Sequence, residues 1–303
     1  IGSVRNWDYR YCWLRDATFT LMALMNAGYV DEARAWRNWL LRAVAGDASE
    51  AQILYGVGGQ RRVPEYEVGW LPGYAGSRPV RVGNAAHEQF QLDVYGEVMD
   101  ALHQGRVHGL DRDEHAWSLQ RTLLDFLEGA WDRPDEGIWE VRGPRRHFTH
   151  SKVLAWVAFD RAVKAVERFD RRGPVDRWRR LRAEIHDEVC REGFSTELNS
   201  FTQAYGTDEL DASTLLIPLV GFLPANDPRV VGTIDAVQKH LTRDGFVERY
   251  RLTETHNEVD GLVGGEGVFL PCSFWLVDAL LLSDREAEAR KLFEQLLGVS
   301  SDL

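Results

Sequence analysis

A chain of 303 residues with 44% hydrophobic side chains is long and apolar enough to bury a substantial core, which excludes general disorder. Its 47 acidic against 36 basic side chains leave a formal charge of -11, so no nucleic-acid or anionic-membrane partner is expected. The longest charge-free apolar stretch, 212–226, contains Pro218 and is shorter than the ~20 residues a bilayer-spanning helix needs, so no membrane span is predicted.

Helical periodicity recurs along the whole chain and predicts ten helices, over 16–27, 30–44, 85–103, 113–131, 151–169, 175–191, 212–222, 229–241, 272–282 and 284–297. Three have start signals: Asn84 for the third, Asp227 followed by Pro228 for the eighth, and a Ser283–Glu286 capping box for the tenth. The helices form five pairs. In most, the first member is poor in charge and the second mixes charge with an apolar stripe, the pattern of a buried inner helix shielded by an outer one. Connections within pairs are short. Those leading into the next inner helix, around 46–84, 131–150, 192–211 and 242–271, are long, and loops of that length are usually functional. A single all-α domain over 1–303, a ring of helical hairpins with these loops gathered at one end, satisfies the pattern. A stacked superhelix of helix pairs would show a fixed repeat, which the spacings lack.

The candidate functional residues fall in those loops. The run 5–19, "RNWDYRYCWLRDATF", sets Trp7, Tyr9, Tyr11 and Trp13 beside Arg15 and Asp16; aromatic faces suit sugar rings, and Arg and Asp suit their hydroxyls. An N-cap and a salt bridge are the plainer reading of Arg15 and Asp16. In "DEGIWEVRGPRRHFTHSK", Glu140 follows Trp139, and apolar surroundings raise a carboxyl's pKa towards the range of a general acid. Arg142 and Lys152 either meet substrate or face water. Glu266, among Gly264, Gly265 and Gly267, leads into an apolar helix and either lines a pocket or sits in a turn. Tyr74, Arg81, Asn84, Gln89, Tyr95, Tyr205, Asp208 and Asp211 have the same setting, each open to a capping role.

Several chemistries lack their motifs. The glycines at 56–59 have no following Lys-Ser/Thr, so they form no phosphate loop. No metal is expected, because no His-Glu-x-x-His or comparable ligand set occurs, and no Gly-x-Ser-x-Gly elbow marks a serine hydrolase. Cys12, Cys190 and Cys272 are too few and too scattered for a disulfide framework, which fits a reducing, cytoplasmic setting.

Taken together, "RNWDYRYCWLRDATF", "PVRVGNAAHEQFQLDVYGE", "DEGIWEVRG", "HFTHSKVLAWVAFDRAV", "FTQAYGTDELDASTLLIPLVGFLP" and "EGVFLPCSFWLVDALL" resemble bacterial and archaeal members of glycoside hydrolase family 15, the glucoamylase- and trehalase-like enzymes. The resemblance covers nearly the whole chain. It implies an (α/α)6 toroid, cleavage of terminal α-glucosidic bonds with inversion, a carbohydrate substrate and no cofactor. Glu140 then matches the general acid. Trp13, Arg15 and Asp16 match the floor of the first sugar subsite, and Trp139, Arg142 and Lys152 complete the expected substrate-binding set. Val141 stands where fungal relatives carry a second glutamate, which leaves room for trehalose beside maltooligosaccharides and α-glucans. Glu266 is a base or pocket residue.

The family's usual base element is not found after Leu297. The expectation is therefore a ring one helix short at each end, marginally stable and inactive as an isolated piece. A sugar phosphorylase or epimerase on a helical toroid, or a non-catalytic helical-repeat binding module, is the competing reading.

Overall fold

The computed structural model describes residues 5–110, 114–251 and 267–301. Among them are ten α-helices: α1 (Leu14–Asn26), α2 (Val30–Ala43), α3 (Asp93–Val107), α4 (Glu114–Glu128), α5 (Thr149–Phe169), α6 (Val175–Glu192), α7 (Leu216–Leu219), α8 (Pro228–His240), α9 (Leu270–Leu282) and α10 (Glu286–Leu297). The odd-numbered helices pack side by side in chain order and the even-numbered ones lie against them from outside. Phe19 of α1 and Trp275 of α9, 5.9 Å apart, bring the first and last inner helices into side-chain contact. The ten helices among the described residues make five of the hairpins of an (α/α)6 toroid, as expected for a ring one helix short at each end.

Burial follows the inner and outer roles. Helix α5 is buried almost continuously from Thr149 to Ala165, whereas α6 buries only Trp178, Ile185 and Val189. The charges that α5 carries inside are paired: Arg161 Nε lies 2.6 Å from Asp100, its Nη1 2.6 Å from Asp160, and Lys164 Nζ 2.7 Å from Asp160. Pairing is what allows such groups to leave water.

The strands are short antiparallel clips within the long loops. They pair β1 (Cys12–Trp13) with β2 (Leu54–Tyr55), β3 (Tyr66–Glu67) with β4 (Arg81–Val82), β5 (Phe194–Ser195) with β6 (Ser200–Phe201), and β7 (Thr242–Arg243) with β8 (Phe246–Val247). In the first clip Trp13 faces Leu54 across the ladder, and the next amide, Leu14 N–H, donates to Ile53 O at 2.8 Å.

Three predicted elements differ from the structure. Asn84 caps only a 3-10 turn over Ala85–Glu88, its side chain accepting from Ala86 N–H; α3 starts at Asp93, because Gln89 takes an extended backbone (ψ 145°). The predicted helix 212–222 reduces to a 3-10 turn, Ala212–Leu215, and the single turn of α7, because Pro218 lacks an N–H to continue the ladder. The capping box at Ser283 does not form: the Ser283 hydroxyl donates back to Ala279 O, Asp284 takes a positive φ of 60°, and α10 starts at Glu286 without a side-chain cap.

Asp227 caps α8 as predicted, accepting from Arg229 N–H at 2.9 Å ahead of Pro228. Replacing it with alanine is expected to lower the unfolding free energy by about 1 kcal/mol, the usual value of an N-cap, read by denaturant titration.

Candidate active site

The strand-to-helix switch at Trp13 builds one wall of the site. Trp13 is extended (φ -77°, ψ 132°) and Leu14 is the first residue of α1, so Trp13 and Arg15 both reach the same cavity. The opposing wall is the loop after α4, closed by paired backbone hydrogen bonds between Asp135 and Arg146 at 2.9 and 3.0 Å. Inside it Glu140 adopts a positive φ of 57°, a conformation costing on the order of 1–3 kcal/mol in a residue with a Cβ. Neighbouring contacts hold it there: Glu140 N–H donates to Gly137 O, and the Gln89 amide donates to Glu140 O at 3.2 Å and Val141 O at 3.1 Å. Gln89 can do this because the chain is extended there and does not continue the helix.

Together these walls enclose a cavity of about 390 Å³ among the described residues, near the lower end of the ~300–1,000 Å³ typical of small-molecule sites. The Glu140 carboxyl is mostly buried in it. Trp13 Nε1–H donates to Glu140 Oε1 at 2.7 Å, and Arg15 Nη2 lies 3.6 Å from the same oxygen. Oε2 is therefore the oxygen left to carry a proton. Burial raises the pKa of Glu140 above the ordinary glutamate value, although the Arg15 charge and the Trp13 hydrogen bond pull it back. A carboxyl raised in this way is suited to donating a proton, which makes Glu140 the candidate acid of the site.

Arg15 also ties the loop to α1, its Nη1 donating to Ile138 O at 2.5 Å, while its Nη2 lies 3.1 Å from Asp16. Trp139 is buried, its indole N–H shared between the two Asp211 oxygens at 2.8 and 3.0 Å, and its ring packed 6.0 Å from Trp275 and 5.9 Å from Phe269. Asp211 in turn accepts from Ser213 N–H and the Gln203 amide, both at 2.8 Å.

The structure thus brings together Trp13, Arg15, Asp16, Trp139, Glu140 and Arg142, with Asn84 and Gln89, around one cavity. It does not bring Lys152 there. That side chain is fully buried, and its ammonium donates to Trp131 O and Arg133 O, both at 2.6 Å, just past the end of α4. An inner-helix lysine beside a chain reversal finds carbonyls before it finds substrate. Tyr95 is likewise structural, its hydroxyl donating to Ala48 O at 2.9 Å, and Tyr205 stacks on His147. Arg81 donates to Asn6 O behind the cavity wall, and Tyr74 and Asp208 are exposed away from it. Glu266 lies outside the described residues.

Arg5, Arg249 and Tyr250 line the cavity and were not singled out from sequence. Arg249 lies 5.1 Å over the Trp139 ring and 5.5 Å over Tyr250. The signal was present as an Arg-Tyr pair in the long loop before an inner helix, the setting that marks the other clusters. Among the described residues no three His, Cys, Asp or Glu side chains group to hold a metal ion, and no helix is long and apolar enough to cross a membrane.

Residues 2–301 match glycosyl hydrolases family 15. The trehalase of Mycobacterium tuberculosis is 42% identical over 99% of this chain and 44% of its own length, and the trehalase of Thermoplasma volcanium is 36% identical over 100% and 48%. The chain spans about half the length of these curated relatives. A solved wild-type glycosidase shares the fold with a TM-score of 0.71 and 22% identity, over 94% of this chain and 74% of that one.

Because the Trp13 N–H favours the ionised carboxyl, Trp13→Phe removes a contribution that lowers the Glu140 pKa. The alkaline limb of the pH–rate profile is then expected to move to higher pH, and an unmoved or lowered limb contradicts the assignment of Glu140 as the acid. Lys152→Met, by contrast, leaves the buried Trp131 carbonyl and the part-buried Arg133 carbonyl without this partner and is expected to cost about 1–3 kcal/mol of stability in thermal or denaturant unfolding while leaving KM unchanged.

Proposed function

We propose, for a chain that belongs to glycosyl hydrolases family 15, that it carries the proton-donating side of an inverting, trehalose-cleaving active site. The observation that supports this best is the Glu140 carboxyl, buried in an aromatic-lined cavity with Oε1 held by Trp13 and Oε2 left for a proton. Glu140 protonates the glycosidic oxygen as its bond to C1 breaks, and the bonding pair leaves with that oxygen. Trp13, Arg15 and Asp16 hold the terminal glucose. Water attacks C1 from the opposite face, activated by a second carboxylate roughly 6.5–9.5 Å from the acid.

Asp16 does not suit that second role. It and Glu140 approach the same Arg15 nitrogen, at 3.1 and 3.6 Å, so the two carboxyls share one cation side by side where an inverting pair has to face each other. They are the carboxyl groups lining the cavity among the described residues. The choice of trehalose over longer α-glucans rests on the two relatives named above, one bacterial and one archaeal, both trehalases, and on Val141. An epimerase would need histidine acid–base partners, and no histidine lines the cavity among the described residues.

Glu140→Gln, made in the full-length protein, is expected to lower trehalose turnover by roughly 10²- to 10⁴-fold with KM little changed. Glucose release and its anomeric configuration, followed with and without phosphate, is the measurement. Near-normal hydrolysis by the variant rules out Glu140, and a requirement for phosphate rules out hydrolysis.

A further inference from the structure

Outside the group that holds Glu140, four side chains form a second cluster at the cavity wall. Arg142 donates through both terminal nitrogens to Glu65, at 3.0 and 2.7 Å, and its guanidinium carbon lies 4.0 Å from the centroid of Trp7. Arg81 lies 4.2 Å from the same centroid, donates to Asn6 O at 2.8 Å, and has its Nε 3.7 Å from Glu65. Glu65 also accepts from Ala85 N–H at 3.2 Å. Burial works against ionising Glu65, but the hydrogen bonds from Arg142 and Ala85 N–H and the charges of Arg142 and Arg81 together outweigh it and hold its carboxyl below the ordinary range. The cluster therefore pins three separate segments together: the N-terminal run, the loop between α2 and α3, and the acid loop.

Trp7 and Arg142 line the cavity. Two guanidinium groups within 4.2 Å of one indole centroid occupy the ring surface on which a sugar would stack, so Trp7 is a wall and not a platform. The wall stands on the outer side: Arg15 is 10% exposed in its side chain, Arg142 33%. Arg142 also follows Glu140 by two residues, so a leaving group that turns outward past the acid meets it first. A bidentate, stacked arginine has little freedom to swing aside.

Resting on the hydrolase reading above, we propose that the Glu65-clamped Arg142 on Trp7 sets substrate length, admitting one sugar beyond the scissile bond and blocking the next. The test is binding, in the full-length protein carrying Glu140→Gln so that ligands persist. Dissociation constants for trehalose, maltose and maltotriose are measured by calorimetry, with and without Arg142→Ala, and again with Glu65→Gln. The expected result is that maltotriose binds at least about tenfold more weakly than the disaccharides. That gap should close in Arg142→Ala and narrow in Glu65→Gln. Equal binding of the trisaccharide without these substitutions, or a gap unchanged by both, overturns the proposal. The comparison of maltose with maltotriose is independent of turnover, so it remains readable even where trehalose proves not to be the substrate.

Discussion

Arg15 leaves the first turn of α1 and enters a space in which a guanidinium is costly unless every face is engaged. Its engagements define the site. One terminal nitrogen holds the Ile138 carbonyl, and the other lies between Asp16 and Glu140. Ile138 is two residues before the acid, so the inner helix fixes both the backbone of the acid loop and the charge beside its carboxyl. The left-handed conformation of Glu140 persists because contacts of this kind over-determine it, with Gln89 holding the following carbonyls from the other side.

The same economy recurs one layer out. Trp139 presents a ring to the cavity because its N–H is taken by Asp211, and Asp211 stays buried because Ser213 and Gln203 complete its hydrogen bonds. Asp211 thereby links the acid loop to the start of the next inner helix. Each inner helix contributes through the loop that precedes it, which is why a ring of weakly conformable helices can carry a site assembled from distant stretches of chain.

Much of this was legible in sequence. The alternation of charge-poor and mixed helices gave the ring, and the excess length of every second loop gave the end at which the site lies. Local chemistry was read less well where a residue had two outlets. Asn84 was a sound cap signal, yet it opens only a 3-10 turn, because Gln89 at the far end of that turn is drawn out to the acid loop. Ser283 had the spacing of a capping box but found the carbonyl of the helix behind it. Lys152 looked like a ligand contact because it is polar and close in sequence to Glu140. In space it lies outside the cavity lining and holds carbonyls just past the end of α4. Periodicity identifies a face and does not say which of two nearby partners a long side chain reaches.

The protonation of the site follows first from burial, and then from how several carboxyls share one guanidinium. Burial pushes Asp93 up to about 6, with Arg15 pulling it down and Glu140 pushing it further up, and burial raises Glu97 and Glu140 as well. Glu97 is raised further by Asp93 and Asp100, against the pull of Arg15, and both Asp93 and Glu97 are buried on α3, where water does little to help their charge. The inner groups therefore hold protons that an isolated Asp or Glu would release, and for Glu140 the first cause is its own burial, opposed by Arg15 and the Trp13 hydrogen bond. The Trp13 N–H then bears on the remaining question, which oxygen carries the proton: by engaging Oε1 it leaves Oε2 for it, the oxygen from which the proposed acid donates.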